Sequence, residues 1–238
     1  MNPENSETKK TNFSWPPLEG DPQIFTKYAQ KVGLLDNYYF EELLSLDYKD
    51  MGMFIETPVK SVIVNSERVK GKGRYSVKEN MRKWDFVPFY MKQKGSLDNA
   101  CGLVAMLQSF GNIIDTLPYK SNSILSKFYE STKDLDDIKR CEFLENYKEF
   151  QNEHTSYSNE GQSNLCENQE EVRTHFVAYI FYKGNLVELD GCLDGPQLIK
   201  ENIKEEDLVD ETIAEIRKRL DAGLITETLS IMYLTKAS

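Results

Sequence analysis

Cys101 is the residue whose position best suits nucleophilic chemistry. The apolar residues that follow it recur with the i, i+3, i+4, i+7 spacing of a helix: Leu103, Met106, Leu107, Phe110 and Ile114. This pattern predicts an amphipathic helix that begins at Cys101, with Asn99 as its N-cap and with Gly102 leaving the first turn open to a substrate. The positive end of a helix favours a thiolate and lowers a cysteine pKa from about 8.5. Cys101 is therefore a candidate nucleophile, although a buried cysteine that opens a core helix has the same local pattern.

A candidate base lies in a predicted β-hairpin. The chain contains two histidines, and His175 opens the segment THFVAYIFYKGNLVELDG at residues 174–191. Two apolar runs in this segment flank Lys183, Gly184 and Asn185, a glycine-containing break of the kind that closes antiparallel strands. An imidazole beside the thiol would move its proton, whereas a strand histidine satisfied by its neighbours is the alternative.

The register of that hairpin decides whether Asp190 reaches His175. If residues 183–184 form the turn, Asp190 lies opposite Val177. It is then on the same face as His175 and within reach of the imidazole. If residues 184–185 form the turn, Asp190 moves opposite Tyr179 and contact needs a bend after Asp190. The sequence does not choose between these registers, and a plain turn residue before a glycine remains a second interpretation of Asp190.

The elements that would position these residues predict an α+β fold. Helical patterns occur at residues 22–34 (capped by Asp21), 122–130, 138–150 and 205–220, and strand patterns at 58–64, 86–91 and 228–235. The strand at 86–91 would deliver Gln93 from its end, and the polar residues 65–80 are expected to form an exposed excursion. Segregated helices and strands with hairpins between strands favour a mostly antiparallel sheet.

Residues 151–173, QNEHTSYSNEGQSNLCENQEEVR, are polar and nearly devoid of aliphatic side chains. Such a segment buries too little apolar surface to order itself, and long structureless loops inside compact domains are usually functional or disordered. We therefore predict a loop here, with His154 as an exposed loop histidine.

Length and charge restrict the function classes. The chain has 238 residues without a break in composition, which predicts one domain over residues 13–238 after a disordered polar leader at residues 1–12. The formal net charge is -10 and most basic residues are dispersed, which argues against nucleic-acid binding. No apolar run approaches the ~18 residues of a membrane span. We expect a monomer with no nucleic-acid or membrane partner.

The cysteines indicate a reducing compartment. Four are present, Cys101, Cys141, Cys166 and Cys192, without a C-x-x-C pair, and no apolar N-terminal segment suggests secretion. We therefore expect a cytoplasmic protein, with the nucleus as a second location. A metal site built from His154 and the last three cysteines has no recognised ligand spacing, so no metal or cofactor is expected.

Several motifs resemble the ubiquitin carboxyl-terminal hydrolase family. They are Gln93, NACG at residues 99–102, THF at 174–176, ELDG at 188–191, WPPLE at 15–19 and FLEN at 143–146. The resemblance covers nearly the whole chain and includes the separations from cysteine to histidine and from histidine to aspartate. It departs at Gln93, which precedes Cys101 by eight residues, two more than in the family. Residues 95–98 are expected to form the loop that absorbs the two extra residues.

The resemblance implies a papain-like cysteine protease core with a mostly antiparallel sheet, flanking helices and a knotted backbone. It implies that residues 151–173 form the crossover loop over the catalytic cleft. It also implies a thiol-dependent deubiquitinase, which hydrolyses an amide, ester or thioester bond at the C-terminal glycine of ubiquitin and favours small or unfolded leaving groups.

In the expected mechanism, the Cys101 thiolate attacks the carbonyl and His175 holds the proton before delivering it to the leaving group. Asp190 orients the imidazole and stabilises its cation. The Gln93 side chain and the Cys101 backbone N–H are the candidate donors to the developing oxyanion.

Three other functions fit parts of the pattern. A hydrolase of a ubiquitin-like modifier would use the same residues. A thiol acyltransferase, such as an arylamine acetyltransferase, also has a Cys-His-Asp triad, but its cysteine and histidine lie closer together and it lacks the glutamine box. A catalytically inactive ubiquitin-binding module would keep the fold and lose the triad, whereas all three members are present here.

Overall fold

A six-stranded sheet runs through the protein in the computed structural model, which describes residues 13–71, 88–113, 119–161 and 174–237. The strands are β1 (Tyr38–Glu42), β2 (Ser61–Arg68), β3 (Thr174–Tyr182), β4 (Asn185–Leu189), β5 (Gln197–Glu201) and β6 (Ile225–Lys236). Their order is β1-β6-β2-β3-β4-β5, and every neighbouring pair is antiparallel. The edge strands β1 and β5 were not predicted, and β2 extends four residues into the segment expected to be an exposed excursion.

Helices cover both faces of this sheet. They are α1 (Pro22–Val32), α2 (Cys101–Asn112), α3 (Ile124–Thr132), α4 (Asp137–Glu145), α5 (Lys148–Ser158) and α6 (Leu208–Asp221), with 3₁₀ turns at Gly95–Leu97 and Glu205–Asp207. Helix α2 is buried along ten of its twelve residues and packs on β3. The described residues form two apolar cores. Helix α2 lies in the first and helix α6 in the second. The α+β fold with an antiparallel sheet is thus confirmed, while the knotted path of the backbone stays a prediction.

Helix α1 shows how local sequence sets an element's limits. Asp21 accepts hydrogen bonds from the backbone N–H groups of Gln23 (2.6 Å) and Ile24 (3.2 Å), and Pro22 takes the first helical position. The helix ends at Gly33, whose φ of 134° is accessible to glycine and strained for other residues. The predicted cap is therefore confirmed, and the apolar face of α1 is buried as its spacing requires.

The prediction of a strand at residues 86–91 is wrong for the residues that the structure describes, because 88–91 have no regular secondary structure. Side chains of α2 satisfy this backbone instead. The Asn112 amide accepts from the Phe89 N–H at 2.6 Å and donates to the Phe89 carbonyl at 2.7 Å, and the Gln108 side chain accepts from the Met91 N–H at 3.4 Å. A strand partner is not needed where side-chain amides supply the hydrogen bonds.

The helical pattern at 138–150 covers two helices, because the chain turns at Asn146 and Tyr147 between α4 and α5. Helix α5 then continues to Ser158, so the prediction of a loop from residue 151 is wrong for residues 151–158. The buried face of α5 includes polar side chains. Their burial is possible because they form hydrogen bonds; for example, the Gln151 amide donates to the Glu145 carbonyl at 2.6 Å. Residues 159–161 follow α5, with a turn at 159–160, and residues 162–173 of the predicted crossover loop lie outside the described residues.

His154 is fully buried in α5, which corrects its prediction as an exposed loop histidine. Its Nε2 lies 2.6 Å from the Pro16 carbonyl and its Nδ1 lies 3.4 Å from the Tyr28 hydroxyl. The ring also packs on Trp15, with the ring centroids 5.1 Å apart. His154 therefore holds the segment before α1 against α5, which gives a polar residue a structural role in the core.

The predicted leader at residues 1–12 lies outside the described residues. Within the part of the chain that the structure describes, no helix combines the length and apolar character needed to cross a membrane.

Candidate active site

The turn between β3 and β4 selects one of the two possible hairpin registers. Lys183 and Gly184 both have positive φ angles, 49° and 81°, as a two-residue turn of this type requires. Tyr182 therefore pairs with Asn185, and the ladder continues to the pair Ala178 and Leu189. Asp190 comes directly after β4. The observed register places it diagonal to His175.

His175 and Asp190 form a direct hydrogen bond. The imidazole Nε2 lies 2.7 Å from Asp190 Oδ1, and the two side chains are 11% and 8% exposed. The same Oδ1 accepts from the backbone N–H of Cys192 at 2.9 Å. The carboxylate is held from two sides, so the imidazole is fixed in one orientation.

Residues after Asp190 are held by a tyrosine that the sequence analysis missed. The Tyr90 hydroxyl lies 2.8 Å from the Asp190 carbonyl oxygen and 2.6 Å from that of Leu193. Tyr90 lies in the irregular segment 88–94. In the sequence, only its position three residues before Gln93 connects it with the site.

The Cys101 thiol and the His175 imidazole interact through a hydrogen bond. Nε2 faces Asp190, which leaves Nδ1 for the thiol. Burial raises the pKa of Cys101, but the hydrogen bond and the charge of His175 outweigh burial and lower the pKa. Burial lowers the pKa of His175, whereas Asp190 and Cys101 together raise it. Opposite shifts in the two groups favour a thiolate and imidazolium pair.

Helix α2 begins at Cys101 as predicted, but its cap differs from the prediction. Ala100 occupies the N-cap and no side chain caps the helix, so Asn99 does not play that role. Gly102 is also not open to a substrate. A Cβ at Gly102 would lie 3.1 Å from the Phe25 ring and 3.4 Å from Leu18, so these side chains pack closely on the helix and a larger residue would push the Phe25 ring away by a few tenths of an ångström.

Gln93 lies beside the aspartate despite the two extra residues. Its backbone N–H donates to the Gly191 carbonyl at 2.8 Å, and a Cβ at Gly191 would lie 2.8 Å from the Gln93 Cβ. The Gln93 side-chain amide donates to the Asp98 carbonyl at 2.8 Å. A 3₁₀ turn at Gly95–Leu97 lies between them, in the segment expected to absorb the extra residues. The role of the Gln93 amide as an oxyanion donor stays a prediction.

The two other cysteines that the structure describes have different surroundings. Cys141 is buried in α4, and burial raises its pKa to about 11, so it remains a thiol. Cys192 is partly exposed, and its Sγ lies within 4.8 Å of a ring nitrogen of His175 and a carboxylate oxygen of Asp190. Cys166 lies outside the described residues. His154 directs both ring nitrogens at Tyr28 and Pro16, so it does not join these cysteines.

Known proteins resemble this chain over most of its length. Residues 15–221 match the model of the family "Ubiquitin carboxyl-terminal hydrolase, family 1". A ubiquitin carboxyl-terminal hydrolase of Drosophila melanogaster is 30% identical over 234 residues, which cover 94% of this chain and 99% of the relative. The hydrolase YUH1 of Saccharomyces cerevisiae is 27% identical over 84% of this chain and 85% of its own length.

A solved structure shows the same fold. The Trichinella spiralis UCH37 catalytic domain, crystallised with ubiquitin vinyl methyl ester, superposes with a TM-score of 0.69 at 22% identity and covers 96% of this chain and 99% of its own. The family match extends over most of the chain and includes Cys101, His175 and Asp190. The chain therefore belongs to family 1 of the ubiquitin carboxyl-terminal hydrolases and is a cysteine-type deubiquitinating enzyme.

Proposed function

We propose that Cys101, His175 and Asp190 form the catalytic triad with which this enzyme hydrolyses the bond at the C-terminal glycine of ubiquitin. The observation that carries the proposal is the 2.7 Å contact of His175 Nε2 with Asp190, because it leaves the opposite ring nitrogen to the Cys101 thiol. One imidazole thus connects the nucleophile to the carboxylate that orients it. The capture of a similar domain with ubiquitin vinyl methyl ester supports ubiquitin as the substrate.

The reaction runs in two stages through this imidazole. In the first, the Cys101 thiolate attacks the carbonyl carbon, and the tetrahedral intermediate collapses to a thioester as imidazolium donates its proton to the leaving group. In the second, neutral His175 removes a proton from water, which attacks the thioester. The ubiquitin carboxylate leaves, and the proton returns to the Cys101–His175 pair.

Negative charge on the carbonyl oxygen needs fixed donors in both stages. The backbone N–H of Cys101 is available for this role because it lies in the first turn of α2, where N–H groups have no partner within the helix. The Gln93 side chain is the second candidate, since its backbone is fixed against Gly191. These two groups together would form the oxyanion hole.

The substrates that we propose are ubiquitin adducts with an amide, ester or thioester bond to a small or unfolded leaving group. Ubiquitin, or a ubiquitin-like protein, is the proposed partner, and no nucleic acid, membrane, metal or cofactor is part of the proposal. We further propose that the enzyme acts as a monomer in the cytoplasm, and also in the nucleus.

The deciding experiment uses ubiquitin that carries a C-terminal electrophile. We expect stoichiometric labelling of Cys101 in the native protein, no labelling of the Cys101→Ala variant, and unchanged labelling of the matched Cys141→Ala variant, which loses a buried thiol outside the triad. Ubiquitin affinity should survive in Cys101→Ala. Modification of another cysteine in the native protein would overturn the assignment of the nucleophile.

A further inference from the structure

Cys192 carries a thiol that the proposed triad does not use. Its Sγ, one imidazole nitrogen of His175 and one carboxylate oxygen of Asp190 all lie within 4.8 Å of one another. Cys192 is partly exposed, while the Asp190 side chain is buried. Three different metal-ligating groups therefore converge at one point, and one of them, His175, also contacts Cys101.

The turn after β4 holds the thiol and the carboxylate in place. The Cys192 backbone N–H donates to Asp190 Oδ1 at 2.9 Å, and the Leu193 N–H donates to the Asp190 carbonyl at 2.9 Å. The Tyr90 hydroxyl also contacts the Asp190 carbonyl, at 2.8 Å. Since the backbone of this turn is fixed, the thiol approaches the imidazole without ordering a loop.

Thiolate, imidazole and carboxylate are the ligand types that Zn²⁺ takes in proteins. Zinc distances of about 2.0 to 2.3 Å place two tetrahedral ligands about 3.3 to 3.6 Å apart. The three ligand atoms here lie within 4.8 Å of one another, so side-chain movements of about an ångström would bring them around one ion. Three protein ligands leave the fourth position to water.

We propose that His175, Asp190 and Cys192 form a binding site for Zn²⁺, and that zinc bound there reversibly inhibits the enzyme. Binding forms bonds from the metal to sulfur, nitrogen and oxygen, and the Cys192 thiol proton leaves to solvent. The imidazole binds through a lone pair of its neutral form, so the second proton of an imidazolium ring also leaves to solvent. Zinc then occupies one ring nitrogen and the remaining proton stays on the other, so His175 stops alternating between its neutral and cationic forms, and proton transfer with Cys101 ceases.

The inhibitory effect rests on the proposed function, but metal binding does not, so binding is measured without catalysis. Co²⁺ serves as a spectroscopic substitute for zinc, and the Cys101→Ala variant removes the catalytic thiol as a ligand. We expect this variant to bind Co²⁺ with a sulfur-to-cobalt absorption band, to lose that band when excess Zn²⁺ is added, and to lack it in Cys101→Ala/Cys192→Ser. An absent band in Cys101→Ala, or a band retained in the double variant, would overturn the site.

The second measurement compares zinc inhibition of turnover in the native enzyme and in Cys192→Ser. The serine variant keeps the backbone N–H that holds Asp190, and inhibition is expressed relative to each protein's own turnover without zinc. Half-inhibition should need at least about tenfold more zinc, and a chelator should restore the native enzyme. Cys141→Ser, which changes a buried thiol, should keep native sensitivity. Equal sensitivity of native enzyme and Cys192→Ser would show that zinc acts elsewhere, for example on Cys101, and would refute the proposal.

Discussion

Asp190 contacts His175 through Oδ1, and that atom has a second role. Oδ1 accepts from the imidazole and from the Cys192 backbone N–H, so the carboxylate also fixes the turn behind the site. An asparagine side chain retains a carbonyl oxygen with which to accept both hydrogen bonds, whereas an alanine retains neither. The negative charge and the orientation of the imidazole are therefore separable in this protein.

We expect Asp190→Asn to reduce turnover and Asp190→Ala to reduce it further. The asparagine variant keeps the position of the imidazole but loses the charge that stabilises imidazolium and favours the wrong tautomer, so a loss approaching roughly 10⁴-fold is expected, with a larger loss for alanine. The measurement is kcat/KM on a ubiquitin–fluorophore conjugate. Equal loss in both variants would mean that charge alone matters and that orientation by Oδ1 contributes nothing.

Gln93 tests the oxyanion proposal. Gln93→Ala should lower kcat by roughly 10²–10³-fold with little change in KM, because an oxyanion donor acts mainly in the transition state. The Gln93 amide also contacts the Asp98 carbonyl, so the melting temperature should be compared as a control for a loosened turn. Asn99→Ala is the matched variant and should keep near-native kcat. A native rate in Gln93→Ala would mean that another group stabilises the oxyanion.

At the scale of elements, His154 joins α5 to the segment before α1. Burial lowers its pKa to about 4, compared with about 6.5 in an unfolded chain. Because the folded pKa is depressed, the unfolded state binds the proton first as pH falls. Stability is therefore complete above about pH 6.5 and declines down to about pH 4, by up to about 3 kcal/mol.

We expect His154→Gln to flatten this part of the pH dependence. A glutamine does not titrate, and its amide can donate to the Pro16 carbonyl that His154 now contacts. The measurement is the free energy of unfolding in urea at several values between pH 4 and pH 7. The native protein should lose more stability than the variant over that interval. Parallel curves for the two proteins would contradict the buried neutral histidine.

A buried ionic cluster links α6 to the β3–β4 hairpin. The Arg219 guanidinium contacts the Glu188 carboxylate and donates to Glu215 at 2.9 Å, and the Tyr179 hydroxyl donates to Glu188 at 2.8 Å. Burial lowers the pKa of Arg219, but the neighbouring carboxylates outweigh this effect and raise it. Glu188 belongs to the same short motif as Asp190, so α6 stabilises the strand that leads into the site.

Arg219→Met should destabilise the protein by about 3–5 kcal/mol, because it leaves Glu188 charged and buried without its cation. Arg219→Met/Glu188→Gln should recover part of this loss, since the Glu188 charge is then absent while Glu215 stays charged. The control is Arg217→Met on the same helix, whose ion pair with Asp47 is exposed and should contribute less than about 1 kcal/mol. Urea unfolding measures all three. Similar losses at residues 217 and 219 would disprove a special role of the buried cluster.

For the whole molecule, the formal net charge of -10 should affect how ubiquitin approaches. An acidic enzyme attracts a basic substrate tail over distances that salt screens. We expect kcat/KM on a ubiquitin–fluorophore conjugate to fall severalfold as salt rises from about 50 mM to about 500 mM, with little change in kcat. The control is the alkylation rate of Cys101 by a small uncharged reagent, which should change little. A salt-independent kcat/KM would argue against electrostatic attraction.

The sequence by itself determined the features that depend on neighbouring residues. The periodic apolar face placed the start of a helix at Cys101, the glycine-containing break placed a hairpin after His175, and Asp21 with Pro22 marked the start of α1. These features are local because periodicity, turn conformation and capping involve residues only a few positions apart. The motifs around them were enough to indicate the family.

Tertiary structure decided what depends on distant partners. The sequence left the hairpin register open, and the turn at Lys183 and Gly184 brought Asp190 to His175. Residues 88–91 form no strand because side chains of α2 satisfy their backbone, and His154 is buried because Tyr28 and Pro16 complement its ring nitrogens. Polar residues fail simple pattern rules when remote groups complete their hydrogen bonds, and such partners become visible only after the chain has folded.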